Sequence, residues 1–289
     1  MTAPTDGPPG ETDPAQAQRT SRAGRNLPAA ITVGVALGGT VVASLFLVKD
    51  LFVAVVVVAL GVGLWELARA FGKAGIAVPF LPVLTGGTLM LVAAFYGGME
   101  TAAVAMALTV IGTLVWRLSD GADGFVRDAS AGIFCLAYLH LMGVFVMLML
   151  VESDGPWRIV AFIVATVASD IGGYIAGVLF GKHPMAPTIS PKKSWEGFTG
   201  SLLFGIGAGI GTVVLALDGD WWVGVLLGVA GVVMATLGDL SESLIKRDLG
   251  IKDMGDLLPG HGGLMDRLDS LIAVAPVAWL ILHYLVTPA

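Results

Sequence analysis

Residues 157–180 read WRIVAFIVATVASDIGGYIAGVLF, and from Ile159 to Phe180 the one charged side chain is Asp170. A helix needs about 20 predominantly apolar residues to cross a hydrocarbon core. This stretch therefore reads as a membrane span with a carboxylate inside it. Placing an ionisable group there costs about 2.5–3.5 kcal/mol on insertion scales, and such groups usually serve a function. Gly173, Tyr174 and Gly177 follow Asp170 at i+3, i+4 and i+7, on the same helix face. The pattern points to a carboxylate lining a polar cavity. An Asp bonded to a neighbouring helix for packing alone is the alternative.

Working outward, eight further apolar runs can be marked. With the first they lie roughly at 27–48, 51–70, 78–97, 101–117, 129–151, 157–180, 196–217, 221–240 and 269–286. The expectation is an all-α, polytopic integral membrane protein of about nine transmembrane helices. Composition agrees: 56% of the 289 residues are hydrophobic and 13% are charged, against about 25% charged in soluble domains. A disordered chain, a coiled coil and an ordinary soluble enzyme are excluded. The single cysteine, Cys135, excludes a disulfide framework and a multi-cysteine metal site. Residues 1–26, rich in Pro, Thr, Gln, Asp and Gly, read as a disordered cytoplasmic tail. The run at 27–48 is too long for the core of a signal peptide and reads as a retained helix. Residues 27–128 form an N-terminal set of helices and 129–289 a second transmembrane region with polar loops at 181–195 and 241–268.

The cations set the orientation. With nine spans and the amino terminus inside, the inner side holds Arg19, Arg22, Arg25, Arg69, Lys73, Arg117, Arg127, Lys182, Lys192, Lys193, Lys246, Arg247, Lys252 and Arg267. The outer side holds Lys49 and Arg158. Such asymmetry puts both long loops in the cytoplasm, where soluble nucleotides and Mg²⁺ are available.

Three polar segments gather on that side. Asp239, Glu242, Ser243 and Lys246 form one helical stripe at the end of the eighth run. A solvated amphipathic face would look similar, but Asp239 follows directly on an unbroken apolar run. Next, residues 252–270 read KDMGDLLPGHGGLMDRLDS. Glycines flank His261, so backbone amides can approach a ligand. Asp266 and Asp269 lie three apart at a helix start, where carboxylates suit the dipole and equally suit Mg²⁺, an ion commonly shared with substrate phosphates. The third segment, Ser190-Pro191-Lys192-Lys193-Ser194-Trp195-Glu196-Gly197, offers cations and hydroxyls before a helix amino terminus, a good place for phosphate. Two lysines at a cytoplasmic boundary are also ordinary positive-inside charge. No P-loop, zinc-protease or nucleophile-elbow pattern occurs.

These residues resemble the signature of the phosphatidate cytidylyltransferases, also called CDP-diacylglycerol synthases. The matching positions are Ser243-Leu244-Ile245-Lys246-Arg247, Lys252-Asp253, Pro259-Gly260-His261-Gly262-Gly263 and Asp266-Arg267-Leu268-Asp269. The segments around Ser169-Asp170 and Ser190 to Gly197 are similar to the family too. The resemblance covers about residues 100–289. It implies a multi-pass enzyme of the cell membrane that makes CDP-diacylglycerol and pyrophosphate from CTP and phosphatidate. Also implied are Mg²⁺, a monovalent cation such as K⁺ beside it, a homodimer and no nucleic-acid partner. The implied metal ligands are Asp239 and Asp266, with Asp170 and Asp269 as second contributors. The implied catalytic set is Asp239, Asp266, Lys193 and His261, the last with a purely structural role as the alternative. The implied substrate contacts are Ser190, Lys192, Ser194, Ser243, Lys246, Arg247, Lys252, Asp253, Gly262, Gly263 and Arg267.

A secondary transporter also has many spans and charges at membrane depth. No inverted repeat is evident, and the charges gather on one side. Asp120-Gly121-Ala122-Asp123-Gly124 suggests a CDP-alcohol phosphotransferase, but Gly124 and Phe125 stand where that family has Ala-Arg.

Overall fold

The structure, a computed structural model, describes residues 27–257 and 262–287. The tail at 1–26 and the His261 position lie outside the described residues. The helices are α1 (Leu27–Leu47), α2 (Lys49–Lys73), α3 (Phe80–Leu118), α4 (Phe125–Val151), α5 (Gly155–Phe180), α6 (Trp195–Ala216), α7 (Trp221–Asp248) and α8 (Met265–Leu285). A π-helical stretch, Leu136–Leu141, interrupts α4.

Among the described residues, seven of these elements are long and apolar enough to cross a membrane. Two features separate that number from the nine apolar runs. Helix α1 is counted over Thr32–Leu47 alone, the part of it whose side chains are described. In α3 one continuous element covers two runs, because the chain folds back at Gly98 (φ 76°, ψ −166°). A side chain at Gly86 would lie 2.2 Å from Thr109, whereas in a straight helix those residues would be about 35 Å apart. Gly98 occupies the left-handed region that glycine enters without steric cost.

Contacts distant in sequence sort the helix ends into two sets. At one end Lys49 Nζ donates to the carbonyls of Val151 (3.3 Å) and Glu152 (2.5 Å), and Tyr96 donates to Asp50. There too the buried Arg158 donates to the carbonyls of Leu282 (2.6 Å) and Val286 (3.1 Å). At the other end the Ala77 amide and the Arg117 guanidinium meet Asp128, at 3.1 and 2.9 Å. This second end carries both long polar segments.

Helices α5, α6 and α7 pack backbone to backbone. A Cβ at Gly200 would meet the Gly172 carbonyl at 2.5 Å, and one at Gly209 would meet the Gly224 carbonyl at 2.3 Å. Small residues permit this approach, the usual basis of helix contact in membranes.

The polar segments differ from their sequence-based bounds. The loop expected at 181–195 holds a small antiparallel hairpin, β1 (Pro184–Ala186) with β2 (Ser190–Ser194), within the expected all-α architecture. Residues 241–248, expected in a loop, continue α7, because the stripe from Asp239 to Lys246 is amphipathic and remains helical. The last helix begins at Met265 rather than near Asp269, so both Asp266 and Asp269 lie in it.

Candidate active site

At the second end, α5, the hairpin, the first turns of α6, α7 and α8 line an open cavity of about 410 Å³. Helix α5 contributes Ser169, Asp170, Gly173, Tyr174 and Gly177, and the hairpin contributes Ser190, Lys192, Lys193 and Ser194. Helix α7 adds Thr236 and Asp239, and α8 adds Asp266, Arg267, Asp269 and Ser270. The four aspartates expected from sequence thus share one cavity.

Local chemistry sets each side chain. Ser194 caps α6 by accepting from the Gly197 amide at 3.1 Å, which fixes the end of β2 and the adjacent Lys193. Lys193 Nζ then lies 2.7 Å from Asp239 Oδ2. Asp239 Oδ1 accepts from Ser243 Oγ at 3.4 Å, one turn on. Asp266 is held more closely. Its Oδ1 accepts from Lys246 Nζ at 2.9 Å, and its Oδ2 from the amides of Gly263 (2.9 Å) and Met254 (3.2 Å). Asp269 Oδ1 accepts from the Ser270 amide at 2.7 Å. Glu242, fully buried, accepts from Lys246 at 2.6 Å through Oε2. Lys246 therefore bridges two carboxylates, a buried network in which each member depends on the others.

The remaining expected substrate contacts lie outside the cavity wall. Lys246 faces Glu242 and Asp266. Arg247 Nε donates to the Ile189 carbonyl at 2.6 Å and so ties the hairpin turn to α7. Ser243 serves Asp239, and Lys252 and Asp253 are exposed in the loop after α7. Gly262 (φ 86°) and the buried Gly263 crowd Asp266, where a Cβ would come within 3.2 and 3.0 Å of its Oδ2.

The donor set suits a hard cation. Only oxygen donors face inward among the acidic residues, and Mg²⁺ is usually held by one or two carboxylates, waters and substrate phosphates. Among the described residues no group of three or more acidic, His or Cys side chains is gathered closely enough to ligate an ion. Asp239 and Asp266 instead each face a lysine.

One polar residue of this region escaped the sequence reading. Glu66, buried in α2, accepts from the amides of Leu264 (3.1 Å) and Met265 (2.8 Å). Its signal was available, since Glu66 is a lone carboxylate within the run 51–70, as Asp170 is within 157–180.

Residues 28–285 match the family described as the Cytidylyltransferase family. The chain is 44% identical over 284 residues to a protein of Mycobacterium leprae named phosphatidate cytidylyltransferase, covering 93% of this chain and 91% of that one. A protein of the same name from Mycobacterium bovis is 44% identical over 282 residues, covering 93% and 92%. Another, from Pseudomonas aeruginosa, is 34% identical over 266 residues, covering 88% and 94%.

Proposed function

The chain belongs to the cytidylyltransferase family, and on that premise we propose that it transfers the cytidylyl group of CTP to phosphatidate, giving CDP-diacylglycerol and pyrophosphate. The observation that carries this reading is the cavity itself. Four aspartates and the cations Lys192, Lys193 and Arg267 surround one space, at the ends of helices that otherwise read as membrane spans. A lipid head group and a nucleotide triphosphate can meet there while the acyl chains stay in the bilayer.

The chemistry follows from the charges. A phosphate oxygen of phosphatidate is already anionic and attacks the α-phosphorus of CTP without a strong base. The new P–O bond forms as the bond between the α-phosphorus and the bridging oxygen breaks, and pyrophosphate leaves with that electron pair. Such transfers need positioning and charge neutralisation above all. Lys192, Lys193 and Arg267 hold the phosphates, with Ser190 and Ser194 as hydroxyl partners. Asp239 and Asp266, with Asp170 and Asp269, would hold Mg²⁺ and a monovalent cation such as K⁺. When bound, divalent metal neutralises charge developing on the phosphate oxygens. Lys246 keeps Asp266 oriented rather than touching substrate, and Arg247 holds the hairpin that carries Lys192 and Lys193. His261 is read as a hydrogen-bond donor to pyrophosphate.

In this reading the two arms of α3 and helix α1 each cross the membrane, giving nine crossings with the amino terminus and the cavity on the cytoplasmic side. Support comes from the sorting of helix ends and from the cations gathered at the cavity end. The working assembly is a homodimer. Purified protein in detergent should release pyrophosphate from CTP when phosphatidate and Mg²⁺ are both present. Release without phosphatidate, or none with both, would refute the reading.

A further inference from the structure

Helix α2 belongs to the N-terminal set, yet its Glu66 reaches the amino terminus of α8, 199 positions away in sequence. The first amides of a helix have no intrahelical partner. At the start of α8 two carboxylates take up the Met265 amide and amides of the chain that precedes the helix. Glu66 takes those of Leu264 and Met265, through Oε1 and Oε2 respectively. Asp266 takes those of Gly263 and Met254. Gly263 separates the two acids, and a Cβ there would lie 2.8 Å from Glu66 Oε2 and 3.0 Å from Asp266 Oδ2. Gly255 closes over Glu66 from the other side, where a Cβ would come within 2.2 Å of Oε1.

We propose that Glu66 is a positioning residue for Asp266, and that α2 is thereby part of the catalytic centre. By satisfying the Leu264 and Met265 amides, Glu66 removes the donors that would otherwise compete for the Asp266 carboxylate. Asp266 then keeps its orientation into the cavity. Without Glu66 those two amides become orphan donors beside the nearest carboxylate, and Asp266 turns back to cap its own helix. The inference rests on the assignment of Asp266 as a metal ligand.

The test is Glu66→Gln in the full-length protein. Each carboxylate oxygen serves one amide, and Gln puts an NH2 donor where one of those acceptors stood, so hydrogen exchange at Leu264 or Met265 should accelerate. The Mg²⁺ concentration at which the thermal midpoint rises half-way should increase by about 10- to 100-fold, the usual effect of losing a residue that orients a ligand. The Mg²⁺ concentration for half-maximal turnover should move in parallel, with turnover recovering at high Mg²⁺. A merely structural role would lower the active fraction and leave both Mg²⁺ constants in place. Gly255→Ala presses on the same carboxylate without removing its charge, and it carries the test should the Gln variant not fold. Unchanged exchange and unchanged Mg²⁺ constants in either folded variant would overturn the proposal. Normal turnover in Asp266→Asn would instead overturn the metal assignment, whatever Glu66 does.

Discussion

Lys246 stands between two carboxylates, 2.6 Å from Glu242 and 2.9 Å from Asp266. Removing one partner of a buried ion pair costs about 3–5 kcal/mol, because the other charge stays buried alone. Lys246→Met should therefore lower the thermal midpoint strongly, and adding Glu242→Gln should restore much of it. Equal loss in the single and double variants would show that Glu242 does not depend on Lys246. The signature named Lys246, Arg247 and Ser243 but could not say what each one touches. A basic residue near phosphate and a basic residue holding an acid in place look the same in one dimension. The aspartates were legible for the opposite reason. A carboxylate within or beside an apolar run has few bland explanations, and Asp170, Asp239, Asp266 and Asp269 do line one cavity.

Among the elements, α5, α6 and α7 form the scaffold that fixes the cavity walls. A Cβ at Gly200 would fall 2.4 Å from Ala176 Cβ and 2.5 Å from the Gly172 carbonyl, while Gly207 has nothing within 4 Å. Overpacking of this kind costs about 1–3 kcal/mol. Gly200→Ala should thus lower both the thermal midpoint and the turnover number, whereas Gly207→Ala should leave them unchanged or slightly improved, since Ala favours helix. Comparable losses in both would mean that the close approach of α5 and α6 is not what holds the cavity. The four alternate glycines Gly205, Gly207, Gly209 and Gly211 look equivalent in sequence. The helix separates them, because Gly205 and Gly209 face α7 while Gly207 and Gly211 meet nothing within 4 Å. The apolar runs were equally legible as runs. The fold-back at Gly98 and the hairpin at Pro184–Ala186 and Ser190–Ser194 were not, since neither changes hydropathy.

At the scale of the whole molecule, the scarcity of charge is what organises the protein. The cavity end holds the hairpin lysines, Lys246, Arg247 and Arg267, while the far end holds Lys49, Arg158 and the acids Glu152 and Asp154. The proposed orientation, with the cavity toward the cytoplasm, follows the positive-inside rule. In a Cys135→Ala background, a cysteine at Asp154 should react with a membrane-impermeant thiol reagent applied outside intact cells, and one at Met254 should not. The reverse pattern would invert the topology and remove the cavity from its CTP.

Transfer of the cytidylyl group of CTP to a lipid phosphate is read directly by isotopic position. Purified protein given phosphatidate, Mg²⁺ and CTP labelled at either the α- or the γ-phosphorus should send the α-label into lipid and the γ-label into pyrophosphate. Asp266→Asn should slow both by orders of magnitude while remaining folded. A γ-label in the lipid, no label in the lipid, or an undiminished rate in Asp266→Asn would contradict the account.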